Sequence, residues 1–314
     1  MNKYTKISKE LRSVETLIKK DFSKENTISG LYKYIFKSNG KKIRARLCLT
    51  TSSKTKNKEK IKLASVIELL HTATLIHDDV VDESPTRRGI RSVNNVWTNA
   101  HGVLIGDYIY SKAFIYLVDI GNKKILKELA DTTNDIAQGE LVQLDAVNNV
   151  NITLNKLKKI SYFKTGRLFE AAAKTGAIIA NENKAFNYNV SECAKNLGIL
   201  FQITDDLLDY SDNKKIGKPV FQDIKEGKVT YPFFYAYKNA NTREKKRLKG
   251  LLGASRDLKS KDLELITSLD GIKKTKQLAE KYHMKAVGYA KKIKDLDIRK
   301  EMIELANTAL NRDK

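Results

Sequence analysis

The stretch LASVIELLHTATLIHDDVVDESPTRR, residues 63–88, decides the fold of this chain. Its apolar residues recur at helical spacing, and from Leu63 to Ile76 only Glu68 is acidic and only His71 titrates near neutral pH. A helix of this composition is buried around most of its circumference. We therefore predict a long core helix over residues 57–82 whose end carries three carboxylates, Asp78, Asp79 and Asp82.

The spacing of these aspartates suits a hard cation. Asp78 and Asp82 are four residues apart, so on a helix their Cβ atoms share one face at roughly 5–6 Å. Mg²⁺ prefers oxygen ligands and commonly takes one or two carboxylates, with waters and substrate phosphates completing its shell. Pro85 indicates a nearby helix C-terminus, where the helix dipole disfavours anions and a cation would compensate. For one such cluster, a solvated acidic helix end remains an alternative.

The same spacing occurs a second time in the chain. LGILFQITDDLLDYSD, residues 197–212, is another apolar helical run that ends in Asp205, Asp206 and Asp209. Two apolar helices that each end in D-D-x-x-D favour a pair of metal-binding motifs over two unrelated solvated ends. We call the two aspartate clusters the first motif and the second motif.

The rest of the composition predicts an all-α protein. The chain has only 3 prolines in 314 residues, which permits long unbroken helices elsewhere. No Pro-, Gly- or Ser-rich linker divides it, so we expect a single domain over residues 1–314. Helical patterns are predicted over residues 4–22, 57–82, 102–118, 124–146, 154–180 and 185–211, with an amphipathic, basic region from 231 onward.

Cysteine content and hydropathy indicate the cellular compartment in which the protein works. Cys48 and Cys193, the 2 cysteines, each lie in an apolar helical context, which gives no disulfide framework and favours a reducing, cytoplasmic location. The charged N-terminal segment lacks the apolar stretch of a secretory signal, and no run reaches the length of about 18 apolar residues that spans a bilayer.

The charge balance is strongly basic, with 59 Lys and Arg against 37 Asp and Glu, a formal net charge of +22. Such a bias prompts a nucleic-acid hypothesis, but the basic residues are scattered and form no stripe interleaved with aromatic residues. We therefore expect no nucleic-acid partner. An anionic membrane surface or a polyanionic substrate remains a use for this charge.

Several basic side chains stand where they could hold phosphate. SNGKKIRAR, residues 38–46, places Lys41 and Arg44 at the head of a helix, whose N-terminal amides favour anions. Arg87 and Arg88 follow the first motif, and guanidinium groups bind phosphate oxygens with paired donors. A solvated basic turn and a structural salt bridge are the respective alternatives.

HDDVVDESPTRRG and FQITDDLLDYSDN resemble the two aspartate-rich motifs of the trans-isoprenyl diphosphate synthases, and the resemblance extends over about residues 30–235. It implies an all-α, isoprenoid-synthase-type helical bundle around a central cavity, commonly a homodimer, that uses Mg²⁺. The implied substrates are isopentenyl diphosphate and an allylic diphosphate. Within the family, the motifs are most similar to the bacterial octaprenyl and related medium- to long-chain synthases that make quinone side chains.

The resemblance also implies a role for individual residues. Mg²⁺ would be bound directly by Asp78, Asp82 and Asp205. The metal ions would be supported through water or hydrogen bonds by Asp79, Asp206 and Asp209. The allylic diphosphate would be held by Arg87, Lys164, Lys218 and Lys228, with Thr165 and Gln202 near its reacting end. The diphosphate of isopentenyl diphosphate would be held by Lys41, Arg44, His71 and Arg88.

Product length is expected to depend on the side chains before the first motif. Ala73 and Thr74 are small where short-chain members of the family tend to place an aromatic residue, so we predict a deeper tunnel and a long product. The candidate floor residues are Val66, Leu70, Phe114 and Leu117.

Two alternatives remain. The same chemistry could stop at geranylgeranyl or farnesyl diphosphate if a bulky residue from another helix entered the tunnel. A non-catalytic partner subunit is disfavoured because such subunits lose motif aspartates, and all six are present here.

The chain also departs from the family pattern at three places. Residues 39–45 lack one of the two glycines and the later proline that the family often has there, and Pro85-Thr86 stands between the first motif and the arginine pair. Phe221 stands where the family usually has glycine, which could alter how the loop carrying Lys218 and Asp223 closes.

Overall fold

The computed structural model describes residues 3–20, 24–37, 40–87, 89–211, 221–254 and 260–312, and their regular structure is almost wholly helical. The predicted all-α fold is confirmed. Within these ranges the only strand pairing is a short antiparallel ladder between β1 (Thr86–Arg87) and β2 (Ile90–Arg91), directly after the first motif. No helix in the described part of the chain is long and apolar enough to cross a membrane.

The chain divides into two compact units, and the first comprises Met1–Thr133 and Ala171–Ser191. Besides the strands, it contains α1 (Lys3–Lys20), α2 (Asn26–Ile35), α3 (Ile43–Thr51), α4 (Asn57–Val81), α5 (Val93–Val96), α6 (Asn99–Ile120), the start of α7 (Lys123–Leu144), the end of α9 (Arg167–Ile179) and the start of α10 (Lys184–Leu208).

Helix α4 is the core of the first unit. All eight residues from Leu63 to Leu70 are buried, including Ser65 and Glu68, which confirms the burial predicted from its apolar composition. Helices α1, α3 and α6 pack against α4. Two glycines of α6 allow a close approach: a Cβ at Gly102 would lie 2.6 Å from Val80, and one at Gly106 would lie 2.2 Å from His77.

The second unit comprises Asn134–Glu170 and Glu192–Lys314. It contains the end of α7, α8 (Leu154–Ser161), a π-helical turn (Tyr162–Gly166), the start of α9 (Arg167–Ile179), the end of α10 (Lys184–Leu208), α11 (Gln222–Lys225), α12 (Tyr231–Asn239), α13 (Thr242–Lys249), α14 (Ser260–Ser268), α15 (Gly271–Lys291) and α16 (Leu296–Leu310). Helix α15 packs against both α12 and α16.

The predicted helices are present, with changes at their ends that local chemistry explains. Helix α6 begins earlier than the predicted residue 102 because the Thr98 side chain caps it, accepting a hydrogen bond from His101 N at 3.3 Å. It ends at Gly121, whose φ of 68° is the left-handed conformation that glycine adopts without strain.

The predicted helix over residues 154–180 is interrupted rather than uniform. The π turn at its centre lies close to two glycines of the second unit: a Cβ at Gly139 would lie 2.7 Å from Phe163 Cβ, and one at Gly198 would lie 2.6 Å from Gly166 Cα. Single π turns inside α-helices occur frequently at functional sites. This one carries Lys164 and Thr165, which the sequence singles out.

Candidate active site

The first motif lies at the C-terminal end of α4. Asp78 is half-buried in the last turn, and Asp82 is the half-buried C-cap residue, whose backbone N donates to Asp78 O at 2.8 Å. Asp79 is buried, and its Oδ1 accepts hydrogen bonds from Arg87 Nε at 2.8 Å and Nη2 at 2.5 Å. The β1–β2 turn thus returns Arg87 to the helix end.

The aspartates of the first motif stabilise the charged form of the Arg87 guanidinium. Burial lowers the pKa of the Arg87 guanidinium, but the hydrogen bond to Asp79 and the charges of Asp79, Asp78 and Asp82 more than offset burial, so its pKa is raised. The contact with Asp79 is the structural salt bridge that is the alternative to phosphate binding, and phosphate binding by Arg87 stays a prediction.

A second group of predicted residues meets where α3 packs on α4. Arg44 Nη1 lies 2.9 Å from His71 Nε2, and the backbone N of Ala45, in the first turn of α3, donates to Glu68 Oε1 at 3.0 Å. Lys41 is exposed just before this turn. The structure therefore brings Arg44 and His71 together, so His71 is not an isolated core histidine. Arg88 lies outside the described residues.

The second motif lies at the C-terminal end of α10 in the other unit. Asp206 is buried, with Oδ1 accepting from Gln202 Nε2 at 2.9 Å and Oδ2 accepting from Tyr231 N at 3.3 Å. Burial raises the pKa of Asp206 well above its ordinary value, and the charge of Asp223 raises it further. A carboxylate in such surroundings becomes easier to ionise when a cation is near.

The other two aspartates of the second motif have different partners. Asp209 accepts hydrogen bonds from the backbone N of Gln222, to Oδ1 at 2.9 Å, and of Asp223, to Oδ2 at 3.2 Å. It therefore tethers the start of α11 to the end of α10. Asp205 is half-exposed, and its Oδ1 lies 2.7 Å from Arg312 Nη1.

The π turn contributes the predicted lysine and threonine. Lys164 Nζ pairs with Glu140 Oε2 at 2.8 Å, and Thr165 Oγ1 donates to Gln202 Oε1 at 2.7 Å. Since Gln202 also bonds Asp206, Thr165 and Gln202 are joined to the second motif. Further on, Lys228 Nζ pairs with Glu226 Oε2 at 2.7 Å. Lys218 lies outside the described residues.

Phe221 shows why glycine is common at its position. Its φ is 61°, in the left-handed region that strains a residue with a side chain. The strain is offset by packing: the ring is buried and meets Tyr210 edge-on with centroids 5.7 Å apart, and Phe221 N donates to Asp209 O at 2.9 Å. Phe221 therefore lies against the second motif in a conformation that favours glycine.

The predicted chain-length residues lie along α4 and α6. Ala73 is fully buried, and Thr74 Oγ1 donates to His71 O at 2.8 Å. Phe114 is half-buried on α6 with its ring centroid 5.2 Å from that of Tyr110. Val80 lies against Gly102 and His77 lies against Gly106, so α4 and α6 run antiparallel. Along the helix axes, Phe114 therefore lies farther from the first motif than Thr74 does.

The donor set of each motif fits Mg²⁺ as one part of its coordination shell. The half-buried carboxylates Asp78, Asp82 and Asp205 offer the hard oxygen ligands that this ion prefers. Among the described residues, no group of three or more His, Cys, Asp or Glu side chains is placed so that it could hold a metal ion.

Several site residues had no signal in the sequence. Arg312 follows the last helix, yet its guanidinium carbon lies 3.8 Å from the centre of the Phe201 ring and its Nη1 reaches Asp205. Glu140 and Tyr231 likewise reach Lys164 and Asp206 from other helices of the second unit. Only the polar character of Glu140 within an otherwise amphipathic helix hinted at such a contact.

Known proteins resemble this chain over most of its length. The Polyprenyl synthetase family model matches residues 25–269. An octaprenyl diphosphate synthase of Escherichia coli (strain K12) is 36% identical over 292 residues, which cover 91% of this chain and 90% of that protein. A decaprenyl diphosphate synthase structure from Rhodobacter capsulatus superposes with a TM-score of 0.92 at 30% identity, covering 99% of this chain and 98% of the other.

A second solved structure bears on the ligands. The polyprenyl synthase of Caulobacter crescentus CB15, complexed with calcium and isoprenyl diphosphate, has a TM-score of 0.92 at 31% identity, covering 98% of this chain and 96% of the other. The chain therefore belongs to the polyprenyl synthetase family. The family resemblance and the fold class predicted from the two motifs are confirmed.

Proposed function

We propose that this protein is a Mg²⁺-dependent trans-prenyltransferase that condenses isopentenyl diphosphate with an allylic diphosphate into an all-trans polyprenyl diphosphate of about octaprenyl length. The observation that carries the proposal is the repeated arrangement of the two aspartate clusters. Each cluster lies at the C-terminal end of a long helix, and in each one an aspartate, Asp79 or Asp206, is buried and accepts hydrogen bonds from the protein, whereas Asp78, Asp82 and Asp205 are half-buried. These positions favour the supporting role of the buried pair and the ligating role of the other three that the family resemblance implies.

The residues of each unit would stabilise the negative charge of the departing diphosphate and hold the two substrates in position. Mg²⁺ held by Asp78, Asp82 and Asp205 would neutralise the charge that gathers on the departing diphosphate. Arg87, Lys164 and Lys228 would donate hydrogen bonds to the allylic diphosphate, and these donors are preorganised by Asp79, Glu140 and Glu226. Lys41, Arg44 and His71 would hold the diphosphate of isopentenyl diphosphate, together with the predicted Arg88; Lys218 is the predicted further ligand of the allylic diphosphate.

The hydrocarbon part of the reaction needs exclusion of water. Ionisation of the allylic carbon–oxygen bond leaves a carbocation, which the double bond of isopentenyl diphosphate attacks to form the new carbon–carbon bond. The proton then lost would pass to the released diphosphate. The apolar side chains of α4 that precede the first motif, among them Ala73 and Leu70, would shield the carbocation and the growing chain from water, together with apolar side chains of α6.

The proposal includes finer points of assembly and location. Helix α6 exposes the apolar side chains of Leu104, Ile115 and Val118, which supports a homodimer formed through this face. Cys48 and Cys193 are free and buried, in keeping with a reducing cytoplasmic compartment. A role in making quinone side chains and contact of the basic surface with a membrane complete the proposal.

The experiment that tests the function is incubation of the purified protein with Mg²⁺, radiolabelled isopentenyl diphosphate and farnesyl diphosphate, followed by chromatography of the dephosphorylated products. We expect a ladder that ends near octaprenol and disappears with chelator. Asp78→Ala should reduce turnover by about a hundredfold or more, because it removes a ligand that acts on transition-state charge. Absence of turnover with any allylic primer would refute the proposal.

A matched control distinguishes the loss of a metal ligand from the loss of a negative charge in general. Asp131 on α7 is an exposed aspartate whose carboxylate pairs with Lys127, and it belongs to neither motif. Asp131→Ala removes the same side chain as Asp78→Ala and should leave turnover and its Mg²⁺ dependence unchanged. An equal loss in both variants would mean that the Asp78 effect is not specific to the metal.

A shorter product is the second candidate, and one observation favours it. Tyr110 and Phe114 form an aromatic pair on α6, with Phe114 farther from the first motif than Thr74, and could close the tunnel from that helix. The same chromatography decides between the two: products that stop at geranylgeraniol or farnesol with a short primer would assign the chain to short-chain synthesis.

A further inference from the structure

A ring of hydrogen bonds within the second unit joins the second motif to the π turn. Thr165 Oγ1 donates to Gln202 Oε1 at 2.7 Å, and Gln202 Nε2 donates to Asp206 Oδ1 at 2.9 Å. Tyr231 N donates to Asp206 Oδ2 at 3.3 Å, and the Tyr231 hydroxyl lies 2.9 Å from Ser161 Oγ. Ser161 directly precedes the π turn, so the ring closes on the turn that contains Thr165.

Tyr231 connects Asp206 to Ser161 in this ring, through its backbone N and its hydroxyl respectively. Ser161 Oγ lies 3.1 Å from Leu157 O, which only accepts, and 2.9 Å from the Tyr231 hydroxyl, in a hydrogen bond that either hydroxyl can donate. Tyr231 is only 1% exposed, and Ser161 is also buried. A buried hydroxyl that loses its partner keeps the cost of leaving water, which makes this bond hard to break without replacement.

The ring acts on the conformation of the π turn. A π turn is rare and persists where its surroundings hold it, and here both Ser161 before the turn and Thr165 within it are bonded to the same ring. Lys164, between them, projects to Glu140. The ring therefore links Thr165, and with it the π turn that carries Lys164, to Asp206 through Gln202, inside one unit.

We propose that Tyr231 is a positioning residue for the allylic substrate, holding Lys164 and Thr165 in place by bonding Ser161 through its hydroxyl and Asp206 through its backbone N. This inference rests on the proposed function, in which Lys164 binds the allylic diphosphate and Thr165 lies near its reacting end. Tyr231 itself does not contact substrate in this scheme.

The test is Tyr231→Phe in the full chain, which removes the hydroxyl and keeps the ring and the backbone N. With Mg²⁺, farnesyl diphosphate and isopentenyl diphosphate, we expect the KM for farnesyl diphosphate to rise about three- to tenfold, the range of one hydrogen bond. The KM for isopentenyl diphosphate should stay unchanged, because Arg44 and His71 belong to the other unit. Ser161→Ala should give the same shift, and the double variant should be no worse than either single one.

Tyr210→Phe is the matched control. Tyr210 is another buried tyrosine of the second unit, and its hydroxyl lies 2.7 Å from Thr230 Oγ1, outside the ring. It should lower the thermal midpoint about as much as Tyr231→Phe while leaving both KM values unchanged. If Tyr231→Phe also lowers the midpoint but leaves the KM for farnesyl diphosphate unchanged, Tyr231 is only a core residue and the inference is wrong.

Amide hydrogen exchange provides a readout that does not depend on turnover. Tyr231→Phe and Ser161→Ala should accelerate exchange in residues 162–167, whereas Tyr210→Phe should not. Unchanged exchange in all three variants would overturn the inference even in an active enzyme. An inactive wild-type protein would refute the proposed function instead, and the exchange result would still show whether the ring holds the π turn.

Discussion

At the scale of single residues, the three aspartates of the second motif make different contacts. Asp205 is half-exposed beside Arg312, Asp206 is buried between Gln202 and Tyr231, and Asp209 is bonded to the start of α11. In the second motif, one carboxylate is therefore suited to a ligand and the other two hold neighbouring segments. Substitution should separate these roles.

Asp209→Ala tests that separation. It removes the acceptors of two backbone N–H groups, at Gln222 and Asp223, so we expect a loss of about 1–2 kcal/mol in the free energy of unfolding, as for a lost helix cap. Mn²⁺ binding, followed by electron paramagnetic resonance, should weaken much less than in Asp205→Ala. Asp209→Asn, which keeps one acceptor oxygen, is the control and should lose less stability. Equal loss of Mn²⁺ affinity in Asp209→Ala and Asp205→Ala would contradict the tethering role.

At the scale of elements, the first motif depends on how closely α4 and α6 approach. His77 directly precedes Asp78, and its Nε2 lies 3.2 Å from Val103 O and 3.4 Å from Asp107 Oδ1. The approach is possible because α6 has glycine at position 106, opposite the His77 ring. The position of Asp78 is thus tied to a helix that is distant in sequence.

Gly106→Ala should disturb this contact. The new Cβ would lie 2.2 Å from His77 Nε2, so the ring or a helix must move, and we expect a loss of about 1–3 kcal/mol in stability together with reduced turnover. Gly288→Ala on α15 is the control: nothing lies within 4 Å of its Cβ position, so it should gain about 0.5–1 kcal/mol from helix propensity. Chemical denaturation measures both, and a neutral Gly106→Ala would contradict the proposed role of this contact.

At the scale of the whole molecule, the proposed homodimer is the property most open to test. Leu104, Ile115 and Val118 are exposed apolar residues on one face of α6, a helix that packs against α4 with its other face. Removing their apolar character should affect assembly before it affects folding.

Leu104→Glu is the variant we would compare in sedimentation velocity. Leu104 is 67% exposed on α6, so a charge there should shift the wild-type dimer towards monomer because a dimer interface would bury it unpaired. Met284→Glu provides the control, since Met284 is 65% exposed on α15 and should leave the sedimentation coefficient unchanged. A monomeric wild-type protein, or a dimer unaffected by Leu104→Glu, would refute dimerisation through this face.

Much of the fold and part of the candidate site could be predicted from the sequence. The burial of α4 was predicted from its uninterrupted apolar composition, and the two aspartate clusters from their identical spacing, since helical periodicity alone decides which side chains share a face. The family resemblance rested on the same motifs and is confirmed. These properties are local, so neighbouring residues suffice to determine them.

Tertiary structure decided which groups meet across distant segments. Arg312 reaches Asp205, Glu140 reaches Lys164, and the hydroxyl of Tyr231 reaches Ser161, none of which is coded in the periodicity of its own helix. The left-handed conformation of Phe221 and the π turn likewise depend on packing that offsets their strain. The sequence by itself determined the chemistry available to this protein, whereas the partners that orient each group exist only once helices pack, because their contacts join residues far apart in the chain.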